Sequence, residues 1–433
     1  MSGAPFKGLR DAHLHLAEHG EALSCVDLSG CATLDEALGA VSRAAASAPS
    51  GQWIKAVKAR MHGWREGRWP DARELHDAAG GRPCIVRSFD HHALVASTPA
   101  LAAAGVGPGT PDPEGGVIER RGGEPTGLLL ENACNLIWRA MPEPSLDERR
   151  EHLRRALADL AGMGFVEVHD MLSRPWMSGL IADLAASGDA GASAVRVWLY
   201  PRLEEAEQLL ETAETWQRET LRLAGAKLFL DGTLNSRTAW MLEPYPEPIA
   251  GHPHGKPMMS ADALEAALSK CDILGLPAAI HAIGDAAVRA ALDAIERVSP
   301  STMGFRIEHC QFVDEADVGR FAPLGVIAGV QPCHLLADVE ALRRVTPHRA
   351  HRAFPLRDLI DGAARAGFAP EEIVWLGSDT PVVRPDPEDN LQAAVHRRRA
   401  GAPQADAIAP EQAIGRDVAL ACMRSPDAEN FAD

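Results

Sequence analysis

The sequence predicts an α/β fold of the (β/α)8 TIM barrel type, and two observations point there. Short apolar or β-branched runs alternate with helical patterns through most of the 433 residues, as βα units on a parallel sheet would. One such run stands near the start and seven follow residue 145, and eight units in this length favour a barrel over an open doubly wound sheet. No G-x-G-x-x-G follows any of them, which further weakens a dinucleotide-binding reading.

The first run is "DAHLHL" at 11–16. Positions i and i+2 of a strand share a face, so His13 and His15 stand side by side. They are either two ligands for one metal ion or two polar residues on a wet face. The second unit opens with a capping box, "SLDE" at 145–148, which starts a helix running to about Gly162. "FVEVHDM" (165–171) is a strand and 175–187 a helix; "AVRVWLY" (194–200) is the third strand, with a polar helix from Leu203 to Leu221. "AGAKLFLDG" (224–232) is the fourth, followed by a loop rich in Pro, Gly and His and a helix over 260–274. "LPAAIHAIG" (276–284) is the fifth, with a helix to about Val298; "FRIEHCQ", "GVIAGVQP" and "IVWLGSD" complete the set.

Residues 50–135 break the alternation. "WIKAVKAR", "CIVRSF" and "GGVIERRGGEPTGLLLE" are short strands between Gly and Pro turns, and they predict a mainly β insertion after strand one. Residues 1–433 are otherwise one barrel.

Bulk composition narrows the partners. The chain is 46% hydrophobic and 24% charged, ordinary globular material, with a formal net charge of −17 that would repel nucleic acid or an anionic membrane. Eight scattered cysteines with no C-x-x-C pair suit neither a zinc ribbon nor a disulfide framework, and suggest a reducing cytoplasm. Lys7, Arg10 and Asp11 stand where a signal peptide would need an apolar core, and no apolar run approaches the roughly 18 residues of a membrane span. The expected partner is a small molecule; a homodimer remains open as the assembly.

Barrel active sites sit at the C-terminal ends of the strands. Strand one ends in His13 and His15, strand two in His169 and Asp170, four carries Lys227, five His281, six His309 and eight Asp379. Singly, each has an ordinary structural reading. Together, the six metal-capable groups of strands one, four, five, six and eight converge on one mouth, and chance is a poor account of that.

With these residues in view the sequence resembles the amidohydrolase superfamily: H-x-H after strand one, Lys after four, His after five and six, Asp after eight. "DLSGCATLDEAL" (27–38), "AKLFLDGTLNSRTA" (226–239), "IHAIGDAAV" (280–288), "RIEHCQ" (306–311), "VQPCH" (330–334) and "LGSDTPV" (376–382) are similar to the branch that includes N-substituted formamide deformylases. The likeness runs from about residue 8 to residue 400. It implies a flanking β-sandwich, built before strand one and after the last helix, whose halves are both expected to be absent here.

The resemblance implies a metal-dependent hydrolase of non-peptide C–N bonds, amide or formamide in type. Neutral imidazole and carboxylate suit Zn²⁺, one ion or two, with other divalent metals open. A cationic Lys227 would repel such ions, and the resemblance implies that it is N-carboxylated to a carbamate; the alternative is a structural lysine with a lowered pKa. Asp379 is then both a ligand and the general base and acid for a metal-activated hydroxide. His334 could hydrogen-bond the substrate carbonyl, Arg237 could meet a substrate carboxylate, and His169 could orient a ligand or cap its strand. His91 and His92 read as surface residues. Two competing readings are a lactonase or esterase on the same site, and a non-catalytic regulatory barrel.

Overall fold

The computed structural model describes residues 6–49, 51–88, 93–249 and 251–426, without the side chain of His62. His91 and His92 lie outside the described residues. The chain divides into two compact units: one holds the segments up to Gly20 and from Arg150 onward, the other Glu21–Arg149.

The first unit begins with β1 (Leu9–Leu14), buried at every position. The second unit carries β2 (Val26–Asp27), β3 (Ile54–Ala59), β4 (Cys84–Ser88), β5 (Ala93–Ala96), β6 (Gly116–Arg121) and β7 (Glu124–Glu131) in one sheet, ordered β2-β3-β4-β5-β7-β6. Pairing is parallel as far as β4 and antiparallel beyond it. Gly122 and Gly123, both at positive φ (62° and 89°), turn the β6–β7 hairpin as its right-handed twist requires.

Residues 50–135 hold the five strands β3 to β7, with helices Ala72–Ala78 and Thr98–Ala103 between them, and the unit around them is wider at both ends, taking in helices Leu34–Ser47 and Cys134–Ala140. The first of the inner helices starts at a cap that the sequence carries plainly: Asp71 accepts from the Glu74 N–H at 2.9 Å, while Glu74 accepts from the Asp71 N–H at 2.9 Å.

The first unit continues with β8 (Phe165–Ser173), β9 (Arg196–Pro201), β10 (Leu221–Leu223), β11 (Ala226–Phe229), β12 (Ala278–Ala282), β13 (Arg306–His309), β14 (Ile327–Val330) and β15 (Val374–Leu376). They form two sheets, β1-β8-β9-β10 and β11-β12-β13-β14-β15, with every pair parallel. This is the α/β architecture that the alternation predicts. Strands β12, β13 and β14 are buried throughout, as strands covered on both faces must be. An isolated parallel bridge joins Arg202, just past β9, to Lys227 in β11. At the opposite edges, the Asp379 N–H donates to His13 O at 2.6 Å and the His15 N–H to Thr380 O at 2.9 Å.

Helices cover the strands by periodic apolar faces. Asp285–Val298 buries Val288, Ala291, Leu292 and Ile295, spaced i, i+3, i+4 and i+7. The capping box at Ser145 forms, its backbone N–H donating to Glu148 at 2.9 Å, and starts helix Leu146–Gly162. The helix expected over 203–221 is shorter: it stops at Glu211, a short turn covers Ala213–Trp216, and β10 follows. There Gln217 Oε1 takes the Leu223 N–H at 3.1 Å, and a hydrogen-bonded turn from Arg218 to Leu221 leads into the strand. Among the described residues no helix is long and apolar enough to cross a membrane.

Candidate metal centre

His13 is held from both sides of its ring. Its Nδ1 lies 2.6 Å from Glu308 Oε2, and its Nε2 lies 3.6 Å from Asp379 Oδ1. The rings of His309 and His15 stand 4.8 and 5.8 Å away, centroid to centroid, and His281 lies 4.4 Å from His309. His15 Nε2 approaches Asp379 Oδ1 to 2.9 Å, and His334 Nε2 approaches Asp379 Oδ2 to 3.6 Å. Candidate ligand atoms of His13, His309 and Asp379 all fall within 4.8 Å of one another. Donors bonded to one ion at about 2.0–2.2 Å lie at most about 4.4 Å apart, so a small inward adjustment of these side chains would bring all three onto one ion. The structure thus brings residues 13, 15, 281, 309, 334 and 379 to one place, from the ends of β1, β12, β13 and β15 and from the start of helix Cys333–Val345.

The backbone is bent to achieve this. His309 and Asp379 adopt positive φ of 76° and 58°, a left-handed conformation that costs about 1–3 kcal/mol in a residue with a side chain. At His309 it ends the alternation of β13, so that sequence neighbours Glu308 and His309 both reach the His13 ring. Asp11 pins the tops of β1 and β15: its Oδ1 takes the N–H of His13 at 3.1 Å and of Ser378 at 3.0 Å.

Lys227 is buried, and among the described residues its Nζ has no hydrogen-bond partner. It stands 5.4 Å from the Phe229 ring, whose centroid is 5.5 Å from His281. Burial lowers its pKa to about 8. Burial, aided by the Lys227 charge, lowers His13 and His281 to about 4 and takes His309 well below its usual value. These imidazoles are therefore neutral at physiological pH, the form that binds metal. Asp379 goes the other way: against burial, which would raise it, its interactions with His13, His15 and His334 hold it well below the usual range. Burial works against protonating His15, but its contact with Asp379 outweighs that and raises its pKa.

Two expected substrate contacts have partners of their own. Arg237 sits in the loop after β11, where its Nη1 donates to Glu247 O at 2.9 Å and closes that loop on itself. His169 is 1% exposed, too enclosed to meet a substrate: its ring stacks on Trp198 at 5.3 Å, with Arg306 at Nδ1 and Glu167 at Nε2. Sequence reasoning gave no role to Glu308, Arg306 or Gly377. The signal for the first two was present, as charged residues two apart in an otherwise apolar strand, "FRIEH".

Gly377 shows how tightly His13 is seated. A Cβ there would lie 2.5 Å from the His13 backbone N and 2.8 Å from its Cβ, closer than atoms can approach. Gly377→Ala is expected to displace His13 from Asp379 and weaken metal uptake by about 10-fold or more, in line with losses seen when ligand support is removed. Metal content after dialysis against a limiting zinc buffer measures it; unchanged content would show that the seat yields.

The chain matches the amidohydrolase family over residues 8–429. It is 31% identical over 404 residues to the putative amidohydrolase YtcJ of Bacillus subtilis (strain 168), covering 91% of this chain and 73% of that protein. It is 28% identical over 444 residues to the N-substituted formamide deformylase of Arthrobacter pascens, covering 95% and 77%. An uncharacterized metal-dependent hydrolase from Pyrococcus horikoshii OT3 superimposes with a TM-score of 0.75 at 25% identity, covering 98% of this chain and 81% of that one. Matched along nearly all of its described length, the chain belongs to the amidohydrolase family.

Proposed function

We propose that this protein hydrolyses a non-peptide C–N bond of amide or formamide type in a small molecule. The observation that carries the reading is the meeting of His13, His309 and Asp379 within 4.8 Å, beside a buried Lys227 amine that has no hydrogen-bond partner among the described residues. Three neutral or ionised N and O donors suit zinc, and His15 and His281 border the same space. A second ion fits if Lys227 is N-carboxylated, since a carbamate offers two anionic oxygens where the amine offers a cation. The eight parallel strands β1, β8, β9 and β11 to β15 are read as one closed barrel, supported by the Arg202–Lys227 bridge and the bonds from Asp379 and His15 across to β1 and β15.

Bound zinc supplies a water that ionises near neutral pH and a Lewis acid for the substrate carbonyl. The chain supplies the proton traffic and the orientation. Asp379, ionised and lodged between His13, His15 and His334, accepts the proton of the attacking water and returns it to the departing nitrogen. That return matters because an amide anion leaves far less readily than a neutral amine. His334 Nε2, which has no hydrogen-bond partner among the described residues, is placed to donate to the substrate carbonyl. Eight cysteines without a disulfide suit a reducing cytoplasm.

The formamide deformylase relative suggests the first substrates to try. Zinc-loaded protein is expected to release amine from N-substituted formamides or small amides, to lose turnover when stripped by a chelator and to regain it with zinc. Turnover of lactones or esters with no amine released from any amide would replace this reading with a lactonase on the same site.

A further inference from the structure

We infer that Glu308 and Arg306 act as a positioning pair for His13, fixing the tautomer that leaves its Nε2 free for metal. The inference rests on the metal-site reading above.

The groups concerned form a chain of hydrogen bonds and one ion pair, Arg306 with Glu308, through the buried interior of the strands. Glu308 Oε2 lies 2.6 Å from His13 Nδ1, and Arg306 Nε lies 2.7 Å from Glu308 Oε1. Arg306 Nη2 donates to the carbonyl of Ala12, next to His13, at 2.6 Å, and Nη1 approaches His169 Nδ1 to 2.6 Å. His169 Nε2 lies 3.0 Å from Glu167 Oε1, and Glu167 Oε2 takes bonds from Arg196 and Ser425 at 2.8 Å each. Arg306 and Glu308 are wholly buried, and Gly329 leaves them room: a Cβ there would fall 2.4 Å from Glu308 Oε2.

Only one proton arrangement satisfies this chain. Arg306 has no acceptor, so His169 Nδ1 must accept and its Nε2–H must donate to Glu167. An ionised carboxylate only accepts, and the guanidinium of Arg306, whose Nε lies 2.7 Å from Oε1, pairs with Glu308 as a carboxylate. His13 Nδ1 must then carry the hydrogen, and the lone pair of Nε2 faces Asp379 and His309. Burying such an ion pair rarely adds stability over apolar residues of the same volume. Its consequence here is geometric.

Glu308→Gln tests this directly. Arg306 would draw the amide oxygen, turning the amide NH₂ towards His13 Nδ1 and driving the ring to the tautomer whose Nε2–H blocks metal. In case that variant folds poorly, Glu308→Leu combined with Arg306→Met replaces the pair by apolar volume. The control is Arg397→Met, an equally buried arginine that donates to the carbonyls of Ile408 and Ala353 and touches none of the site residues named here.

The measurements are Co²⁺ affinity and the visible absorption of bound Co²⁺, which reports ligand geometry. The Glu308 variants are expected to lose about 10–100-fold in affinity with an altered spectrum, as for other partners of ligating histidines, while Arg397→Met keeps both. Wild-type affinity and spectrum in the Glu308 variants would overturn the inference and leave the metal site standing, as would an equal loss in Arg397→Met. Failure of the wild-type protein to take up Co²⁺ would overturn the metal-site reading and this inference with it.

Discussion

Asp379→Asn is expected to lower kcat by about 10²–10⁴, the usual loss when a general base is removed, while the protein keeps much of its metal. Asparagine preserves volume and one carbonyl oxygen but has neither the charge nor the basicity of a carboxylate. His13, His309 and the neighbouring His15 and His281 remain to hold an ion. The residue also organises the cluster: its N–H bonds His13 O, and its side chain faces the imidazoles of residues 13, 15 and 334. Weaker metal binding should therefore add to the kinetic loss, and saturating zinc separates the two. Turnover that recovers fully at high zinc would make Asp379 a ligand only. Turnover that stays low while metal content matches wild type would assign it the proton transfer.

The strands that build the site were legible because burial on both faces writes itself as continuous apolar runs, and because the polar residues ending those runs stand out. His13, His281, His309 and Asp379 were visible in this way. The long-range partners were not. That Glu308 would support a histidine nearly 300 residues away depends on the left-handed turn at His309, which a histidine in the sequence does not announce. His169 misled for a related reason: it ends its strand's apolar run as the ligands do, but it faces Arg306 and Glu167 in the interior. Arg237 lies in a long loop whose path no periodicity records, and its own loop's carbonyl takes the guanidinium. In the insertion, two helices of 7 and 6 residues were masked by neighbouring strand words, although Asp71 and Glu74 spell out a capping box.

Lys227→Ala should fail in the opposite order, losing metal before anything else. The amine is buried beside Phe229, without a hydrogen-bond partner among the described residues, and its own positive charge depresses His13, His281 and His309. An ammonium in that position works against a cation, so the lysine helps only if it is neutral or carboxylated. Its pKa of about 8 makes this feasible: at pH 7 about one amine in ten is unprotonated, against fewer than one in a thousand for an ordinary lysine near 10.4. The neutral amine adds to CO₂, losing one proton and becoming an anionic carbamate. Zinc reconstitution of stripped wild-type protein should therefore quicken with bicarbonate and, when dissolved CO₂ is held constant, quicken as pH rises from about 6.5 towards 8, because the reactive amine grows about tenfold per unit below its pKa. In Lys227→Ala both dependences should vanish with the metal, and a short carboxylic acid filling the vacated space should restore part of the uptake. If the alanine variant instead bound zinc more tightly than wild type and wild-type uptake ignored bicarbonate, Lys227 would be a cation that the site tolerates, and the centre would hold a single ion on His13, His309 and Asp379.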